Sequence, residues 1–405
     1  MSEMSYLEKL LDGVEVEWKL LGDASFFEIA NNGRKPVKSS LRIAGKTPYY
    51  GANNIQDYVD GYTHDGEYVL IAEDGSASLE NYSIQYATGK FWANNHVHVV
   101  RGKERIHSRF LYHYLCIVNF LPFLTGGGRA KLTKGQLIEI PVPIPCPENP
   151  EKSLAIQSEI VRILDKFTAL TAELTAELNM RKKQYNYYRD QLLSFDDEQE
   201  KPIYLEKLLD GVEVEWKLLG DASFFEIANN GRKPVKSSLR IAGKTPYYGA
   251  NNIQDYVDGY THDGEYVLIA EDGSASLENY SIQYATGKFW ANNHVHVVRG
   301  KTRVNSRFLF HYLHIVNFIP FLTGGVRAKL TKGQLIEISV PIPCPDNTEK
   351  SLAIQAEIVR ILDKFDTLTN SITEGLPREI ELRQKQYEYY RDLLFSFPKP
   401  ETVSN

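Results

Sequence analysis

Cysteine is scarce in this chain of 405 residues, which contains only Cys116, Cys146 and Cys344. Three cysteines provide no framework of paired disulfides, and we interpret Cys146 and Cys344, each in an Ile-Pro-Cys-Pro turn, as reduced packing residues. No apolar run approaches the length of a membrane span, and the first residues lack the pattern of a signal peptide. These absences predict a cytoplasmic protein that has no membrane partner.

Catalytic and cofactor-binding motifs are also absent. The sequence has no Asn-Pro-Pro-Tyr or Asp-Pro-Pro-Tyr tetrapeptide, no glycine-rich cofactor fingerprint, no P-loop, no His-Glu-x-x-His and no nucleophile elbow. Its one Pro-Asp pair, Pro345-Asp346, lacks the downstream Glu-x-Lys that a nuclease core of that type needs. We therefore expect a chain that catalyses nothing itself and that binds neither a cofactor nor a metal.

Composition is otherwise ordinary for a globular protein, with 42% hydrophobic and 24% charged residues. The length suits two or three domains rather than one core. The formal net charge of −6 argues mildly against a stand-alone nucleic-acid binder. The distribution of charge along the chain matters more than its sum.

An internal repeat determines the predicted architecture. The segment from Tyr6 to Lys103 returns without a single change as Tyr204 to Lys301. Divergence begins at Glu104, which corresponds to Thr302, and it becomes heavy only in the segments that end each copy. Two domains with the same sequence have the same surface, so we expect both to bind the same kind of ligand.

Each copy ends in a long helical pattern, Ser153–Phe195 and Ser351–Phe397. Apolar residues recur there at helical spacing between charged ones, which predicts a rod with one apolar face. Because a lone rod cannot bury its own face, we expect the two rods to pair as an antiparallel coiled coil. Gly375 and Pro377 predict a break or kink in the second rod.

The predicted fold is therefore α+β, with two globular α/β domains and two long antiparallel helices related by a pseudo-two-fold axis. The predicted boundaries are 1–150 for the first domain, 151–195 for the central helix, 196–203 for a linker, 204–348 for the second domain, 349–397 for the C-terminal helix and 398–405 for a disordered tail.

Residues Asn31–Gln56 of the globular unit look like a loop rich in Gly, Pro, Asn and Ser. The segment carries five basic residues and no acidic one, followed by tyrosines and asparagines. Such a mixture suits contacts with phosphates and base edges. A solvated loop without a ligand explains the composition equally well.

Two further polar clusters follow buried-strand patterns. Glu73-Asp74-Gly75-Ser76 is more simply an Asp-Gly turn than an acid–base pair. His96 and His98 share one face if their segment is a strand, where they could contact nucleic acid or fill a polar surface. No third metal ligand is near them, so a metal site is the weaker interpretation.

The segment Ser108–Leu124 has the apolar pattern of a buried helix, and Pro122 bends or ends it. Thr125–Gln136 then has a run of three glycines followed by three cations, which favours phosphate. Together with their equivalents in the second copy, the candidate DNA-contacting residues are Arg34, Lys35, Lys38, Arg42, Lys46, Tyr50, Asn53, Asn54, Ser76, Asn94, His96, Gly127, Arg129, Lys131, Lys134, Arg232, Lys233, Lys236, Arg240, Lys244, Tyr248, Asn251, Asn252, Ser274, Asn292, His294, Gly325, Arg327, Lys329 and Lys332.

The order of domain, helix, domain, helix resembles the plan of the DNA-specificity subunits of type I restriction–modification enzymes. The Trp-Lys-Leu-Leu-Gly-Asp opening at Trp18, the segment from Gly126 to Leu137, and the helix that begins Ser-Leu-Ala-Ile-Gln at Ser153 are similar to that family's hallmarks. The Leu-Thr-Ala-Glu repeat at Leu170 is similar to the type IC branch. The resemblance covers nearly the whole chain.

The resemblance implies a non-catalytic subunit with double-stranded DNA, two modification subunits and restriction subunits as partners. The modification subunits would be adenine methyltransferases and would bind S-adenosylmethionine. Because the two domains are nearly identical, the target is expected to be a split palindrome, with the rods setting its unread spacer. A coiled-coil scaffold whose domains bind protein is the alternative.

Overall fold

A computed structural model describes residues 6–11, 13–126, 130–195, 202–324 and 328–398. The chain divides into two compact units, which we call unit 1 (residues 1–174 and 379–405) and unit 2 (residues 175–378). Each unit combines one globular domain with the start of the helix that follows it and the end of a helix from the other half of the chain. The predicted linker residues 196–201 and tail residues 399–405 lie outside the described part.

The helices of the described residues are α1 (Tyr6–Leu11), α2 (Ser108–Leu115), α3 (Lys134–Leu137), α4 (Pro150–Leu193), α5 (Ile203–Leu209), α6 (Ser306–Leu313), α7 (Lys332–Leu335), α8 (Thr348–Asn370) and α9 (Gly375–Leu394). The strands of the first copy are β1 (Val16–Leu20), β2 (Phe27–Ile29), β3 (Ala44–Tyr50), β4 (Ile55–Val59), β5 (His64–Asp65), β6 (Tyr68–Ala72), β7 (Ile84–Ala87), β8 (Lys90–Ala93), β9 (Val97–Gly102) and β10 (Pro141–Pro145). Those of the second copy are β11 (Val214–Leu218), β12 (Phe225–Ile227), β13 (Ala242–Tyr248), β14 (Ile253–Val257), β15 (His262–Asp263), β16 (Tyr266–Ala270), β17 (Ile282–Ala285), β18 (Lys288–Ala291), β19 (Val295–Gly300) and β20 (Ser339–Pro343).

Both globular domains build the same sheets. In unit 1, one four-stranded sheet has the order β2-β9-β6-β7 and a second has the order β4-β3-β8-β5, while β1 pairs with β10. The pair β3–β8 is parallel and the other pairs are antiparallel. Unit 2 repeats this topology with β11 to β20. Each domain is therefore α+β, as predicted.

The strand β6 lies at the centre of the core because both of its faces are covered. Val69 and Ile71 belong to the cluster that contains α2 and the start of α4. Tyr68 and Leu70 face the other way, where they pack with Phe91 of the second sheet. Successive side chains of a strand point to opposite faces, so a strand covered on both faces reads as an unbroken apolar run. The buried-strand prediction for this run is confirmed.

In unit 1, the start of α4 and the end of α9 share one hydrophobic core. Ile160 of α4 and Leu394 of α9 both belong to it, and further along the pair Phe167 of α4 stacks on Tyr390 of α9 with ring centroids 5.3 Å apart. Since one helix leaves the globular domain where the other arrives, the two run antiparallel.

Unit 2 has the same arrangement with the roles of the helices exchanged. Here α8 starts from the core and α4 ends in it, through Leu192 and Leu193. Tyr188 of α4 stacks on Phe365 of α8 with ring centroids 5.4 Å apart. Antiparallel pairing of the two rods is thus present inside each unit.

The second rod is broken where the sequence predicted a break, since α8 ends at Asn370 and α9 begins at Gly375. Gly375 has a φ of 79°, and a Cβ there would lie 2.4 Å from the carbonyl oxygen of Thr367. Pro377 falls in the first turn of α9, where a missing backbone N–H costs nothing. In contrast, α4 is continuous over 44 residues.

Two local predictions were wrong. The segment 31–56 is not a loop throughout, because Ala44–Tyr50 forms β3 and pairs with both β4 and β8. The helix predicted over 108–124 ends at Leu115, and only a single turn of 3₁₀ helix follows around Pro122. Asn149 caps the start of α4, since the Lys152 N–H donates to its Oδ1 at 3.1 Å.

Candidate nucleic-acid interface

The carboxylate of Glu73, at the end of β6, holds together three segments that are far apart in sequence. Its Oε2 accepts a hydrogen bond from Arg34 Nη1 at 2.6 Å, and its Oε1 lies 3.0 Å from Lys131 Nζ. The backbone N–H of Leu132 donates to the Glu73 carbonyl at 2.8 Å. This cluster therefore fixes the basic segment after Asn31 and the glycine-rich segment before Leu132 to one edge of the sheet.

The ion pairs of this cluster are charged at neutral pH. Burial by itself raises the pKa of the Glu73 carboxyl, but hydrogen bonds from Arg34 and Lys131 outweigh burial and hold that pKa below its ordinary value. The same carboxylate raises the pKa of Lys131. The equivalent residues Glu271, Arg232 and Lys329 make the same contacts in unit 2, at 2.6 and 2.9 Å.

His96 lies beside this cluster and is held at three points. Its ring Nδ1 is 2.5 Å from Asp74 Oδ1, its backbone N–H donates to Asn94 Oδ1 at 2.8 Å, and its carbonyl accepts from the Glu73 N–H at 2.8 Å. The ring remains about half exposed. The imidazole is therefore both accessible and fixed in orientation.

A cleft opens over these residues and is described in unit 2, where its volume is about 690 Å³. Its wall combines the turn after β16, the histidine and the lysine of the ion-pair cluster. The lining residues are Asp272, Gly273, Ser274, Leu277, His294, Ala328 and Lys329. The same side chains at the same spacing occur in unit 1.

The predicted contact residues divide into an exposed group and an internal group. Exposed in both units are Lys35, Lys38, Lys46, Asn53, Asn54, His96 and Lys134 with Lys233, Lys236, Lys244, Asn251, Asn252, His294 and Lys332, while Lys131, Lys329, Tyr50 and Tyr248 are partly exposed. Gly127, Arg129, Gly325 and Arg327 lie outside the described residues.

The polar atoms of the internal group already form hydrogen bonds or ion pairs within the protein. Arg34 and Arg232 bind the carboxylates described above, and Arg42 lies over the ring of Tyr49 at 4.1 Å while it donates to the Val37 carbonyl. The others in this group are Ser76, Asn94, Arg240, Ser274 and Asn292. Although exposed, Asn53 also joins two segments, because its Nδ2 donates to the Gly75 carbonyl at 2.9 Å and its Oδ1 accepts from the Ala77 N–H.

The two histidines do not share a face. His98 is buried on β9, where Asn31 Nδ2 donates to its Nδ1 at 2.8 Å and its Nε2 donates to the Leu132 carbonyl at 2.7 Å. Burial lowers the pKa of His98. The alternation fails because His96 precedes the strand, which begins at Val97. Within the described residues, no cluster of three or more His, Cys, Asp or Glu side chains could hold a metal.

Sequence reasoning missed the pairing of Asp74 with His96 and a small apolar hollow of about 140 Å³ beneath Leu41 and Ile43. Trp92 lines this hollow, and its Nε1 donates to the Lys35 carbonyl at 2.7 Å. For the pairing of Asp74 with His96, the sequence offered a signal in the Asp74-Gly75 pair, which we interpreted only as a turn. The second has no local signal, because the hollow joins residues from three segments.

Fold and site together describe a duplicated α+β domain, each copy with the same ion-pair cluster and exposed lysines, in a chain that also contains paired helices. Comparison with known proteins is consistent with this class. A family described as "Type I restriction modification DNA specificity domain" matches residues 15–181 and 213–382. The chain belongs to this family and is a DNA specificity subunit of the type I restriction–modification kind.

Individual relatives extend over the whole chain. A Haemophilus influenzae protein assigned as a type I restriction enzyme specificity subunit is 47% identical over 97% of this chain and 98% of its own length. The EcoR124I/EcoR124II specificity subunit of Escherichia coli is 38% identical over the full length of both. The crystal structure of a type I restriction–modification S subunit from M. genitalium superposes with a TM-score of 0.65 at 17% identity, over 98% of this chain and all of that one. At 17% identity, the similarity to the M. genitalium structure shows a shared fold alone.

Helices of the described residues include none whose length and apolar character would allow it to cross a membrane.

Proposed function

We propose that the two globular domains read inverted half-sites of a split, palindromic DNA target, and that the chain itself catalyses no step. The observation that carries this proposal is the duplication of the residues that line the cleft of unit 2. Its cation, histidine and turn residues are identical in sequence in the two units, and their contacts agree to within 0.1 Å. Two identical readers on one chain suit a target that contains the same half-site twice.

The exposed lysines are proposed to contact phosphates, which carry affinity rather than sequence information. Lys134 and Lys332 begin α3 and α7, a few residues after Lys131 and Lys329 of the ion-pair clusters, and both are exposed. Removing one phosphate contact lowers the slope of log affinity against log salt by roughly 1.

The test measures DNA binding by the assembled complex as a function of salt. We expect Lys134→Ala and Lys332→Ala to lower affinity by equal amounts for every sequence, with the double variant additive. Lys183→Ala, on the exposed face of α4, is the matched control and should leave the slope unchanged. Unchanged slopes in all three would favour the alternative, a scaffold whose domains bind protein.

The helix α4 is proposed to set the unread spacer between the half-sites. It is one continuous helix, and the boundary between the two units falls after Leu174, inside its repeated segment Leu170–Leu178. One additional Thr-Ala-Glu-Leu unit lengthens a helix by about 6 Å, which corresponds to nearly two base pairs at about 3.4 Å each along one strand. A four-residue insertion should therefore shift the preferred spacer; a variant that keeps the original spacing would contradict this assignment.

The paired helices are also proposed to dock two methyltransferase subunits, which would hold S-adenosylmethionine, while restriction subunits join the same assembly. Two exposed tyrosines, Tyr187 on α4 and Tyr389 on α9, support a protein-binding surface there. Tyrosine suits interfaces because it combines a large apolar ring with a polar tip. Tyr187→Ala with Tyr389→Ala should weaken assembly in analytical ultracentrifugation without changing the target sequence.

Mapping of methylated adenines in a genome that expresses the assembled enzyme tests the palindrome directly. A bipartite target with unrelated halves would overturn the proposal.

A further inference from the structure

We propose that Asp74 and Asp272 are positioning residues that fix the tautomer of His96 and His294, so that each imidazole presents Nε2 as an acceptor to an exocyclic amino group of a DNA base. This inference rests on the proposed function. It adds the identity of the base-reading side chain, the chemical class of the base and the reason for the acidic residue beside a DNA-binding cleft.

The tautomer follows from hydrogen-bond chemistry. An ionised carboxylate only accepts hydrogen bonds, so the ring Nδ1 that lies 2.5 Å from Asp74 Oδ1 must donate. In a neutral imidazole that carries its proton on Nδ1, Nε2 is an acceptor. His294 and Asp272 repeat the arrangement at 2.5 Å.

The Nε2 atom of His96 is open to a ligand. Among the described residues, its Nε2 makes no hydrogen bond, whereas Ser76, Asn53 and Asn94 are used inside the protein. The ring is accessible and its backbone is held on both sides. A reader of bases needs this combination of a fixed direction and an open functional atom.

The pairing of Asp74 with His96 also explains why a negative charge lies in a cleft that is proposed to bind DNA. Asp74 is partly exposed and would repel phosphates if it faced the backbone of DNA directly. Lys131 and Arg34 lie on the neighbouring carboxylate Glu73, so cations surround the pair. The Asp74 carboxylate therefore slightly weakens the non-specific attraction of the cleft for DNA phosphates, but it fixes the orientation of the His96 ring.

An acceptor selects bases that carry an amino group. In the major groove these are adenine through N6 and cytosine through N4, and in the minor groove it is guanine through N2. Thymine has no exocyclic amino group, so it is rejected in either groove. Replacing the recognised base by its analogue without the amino group, in synthetic DNA, distinguishes the three cases.

The experiment uses the assembled complex and a randomised DNA library. Asp74→Ala frees the ring to carry its proton on Nε2, so the half-site read by unit 1 should lose its preference for an amino-bearing base at one position by roughly 10-fold. Asp272 remains intact in that variant, so the other half-site is an internal control and the selected target becomes asymmetric.

Two further variants separate positioning from charge. Asp74→Asn removes the charge but keeps a carbonyl oxygen that accepts from Nδ1–H, so it should retain the base preference while raising affinity for all sequences. His96→Ala should lose the preference at the same position, and adding Asp74→Ala to it should cost nothing more.

A uniform change in affinity with unchanged preference in Asp74→Ala and His96→Ala would overturn this inference while leaving the proposed function intact. Failure of the unaltered complex to select any bipartite sequence would instead overturn the proposed function.

Discussion

Units 1 and 2 carry the same ion-pair cluster, around Glu73 and Glu271, but hold their helices by different contacts. In unit 1, Arg109 binds Asp165 of α4 at 2.8 Å. In unit 2, the equivalent Arg307 binds Asp363 of α8 at 2.7 Å and also Asp366 at 2.9 Å, because Asp366 stands where α4 has Thr168. The repeats have diverged where a globular domain meets helices.

The difference follows from how the chain is shared between the units. The globular domain of unit 1 packs against the end of α9, whereas that of unit 2 packs against the end of α4. The two domains therefore meet different helices although their sequences are nearly identical. Cys116 lies near Tyr387 in unit 1, and His314 takes its place near Asp366 in unit 2. The ion-pair clusters around Glu73 and Glu271 meet no such difference, and their contacts are the same in both units.

The largest effect is expected from Phe195 and Phe397, the aromatic residues that follow the ends of α4 and α9. Phe397 packs on Phe110 in unit 1 and Phe195 packs on Phe308 in unit 2, all of them buried. Truncation to alanine should cost roughly 3–5 kcal/mol in the unit concerned. Hydrogen exchange resolved by peptide should show Phe397→Ala loosening unit 1 and Phe195→Ala loosening unit 2. Loss of protection in the opposite unit would contradict this division of the chain.

A pH effect of the next size is expected in unit 1. Burial lowers the pKa of His113 to about 4, despite its hydrogen bond with Asp165. The unfolded chain takes up a proton on this residue below about pH 6.5 and the folded one does not, so stability falls as pH drops from 6.5 to 4, by about 3 kcal/mol at most. Chemical denaturation of unit 1 across this range measures it. His113→Asn should flatten the dependence, and an unchanged slope would assign it to other groups.

Removal of the carboxylate at the edge of the sheet is expected to affect both units alike. Glu73→Ala leaves Arg34 partly buried without its partner, which should cost about 2 kcal/mol. Glu271→Ala is the matched variant in unit 2 and should cost the same. Unequal losses, read from hydrogen exchange, would show that the two ion-pair clusters differ although their sequences are identical.

The smallest effect is expected from exchanging Asp366 and Thr168, the residues at which the helix contacts of the two units differ. Asp366→Thr gives unit 2 the residue that unit 1 has, and should destabilise it by about 0.5 kcal/mol because the ion pair with Arg307 is partly exposed. Thr168→Asp should stabilise unit 1 by a similar amount, and both changes should shrink in high salt. Effects of equal sign from the two substitutions would exclude this explanation of the divergence.

Much of the fold was accessible from the sequence because its signals are local. The apolar spacing of α4, the Asn cap before it and Gly375 after α8 each act within a few residues. The β3 strand was not accessible, since Ala44–Tyr50 becomes a strand only by pairing with β4 and β8. The predicted contact residues divide in the same way. Among the predicted lysines, Lys131 and Lys329 are partly exposed and the others are exposed. Arg34 is not available to a ligand, because Glu73, 39 residues away, binds it.

The sequence by itself determined the duplication, the two rods and the break in the second, because repeats, periodicity and helix-breaking residues are written in adjacent positions. Tertiary structure alone decided which half of each helix completes which unit and which polar atoms of the cleft remain open. Those outcomes depend on segments that meet only after the chain has folded back. Glu73 therefore binds Arg34, and Asp74 orients His96, although no local sequence pattern links the members of either pair.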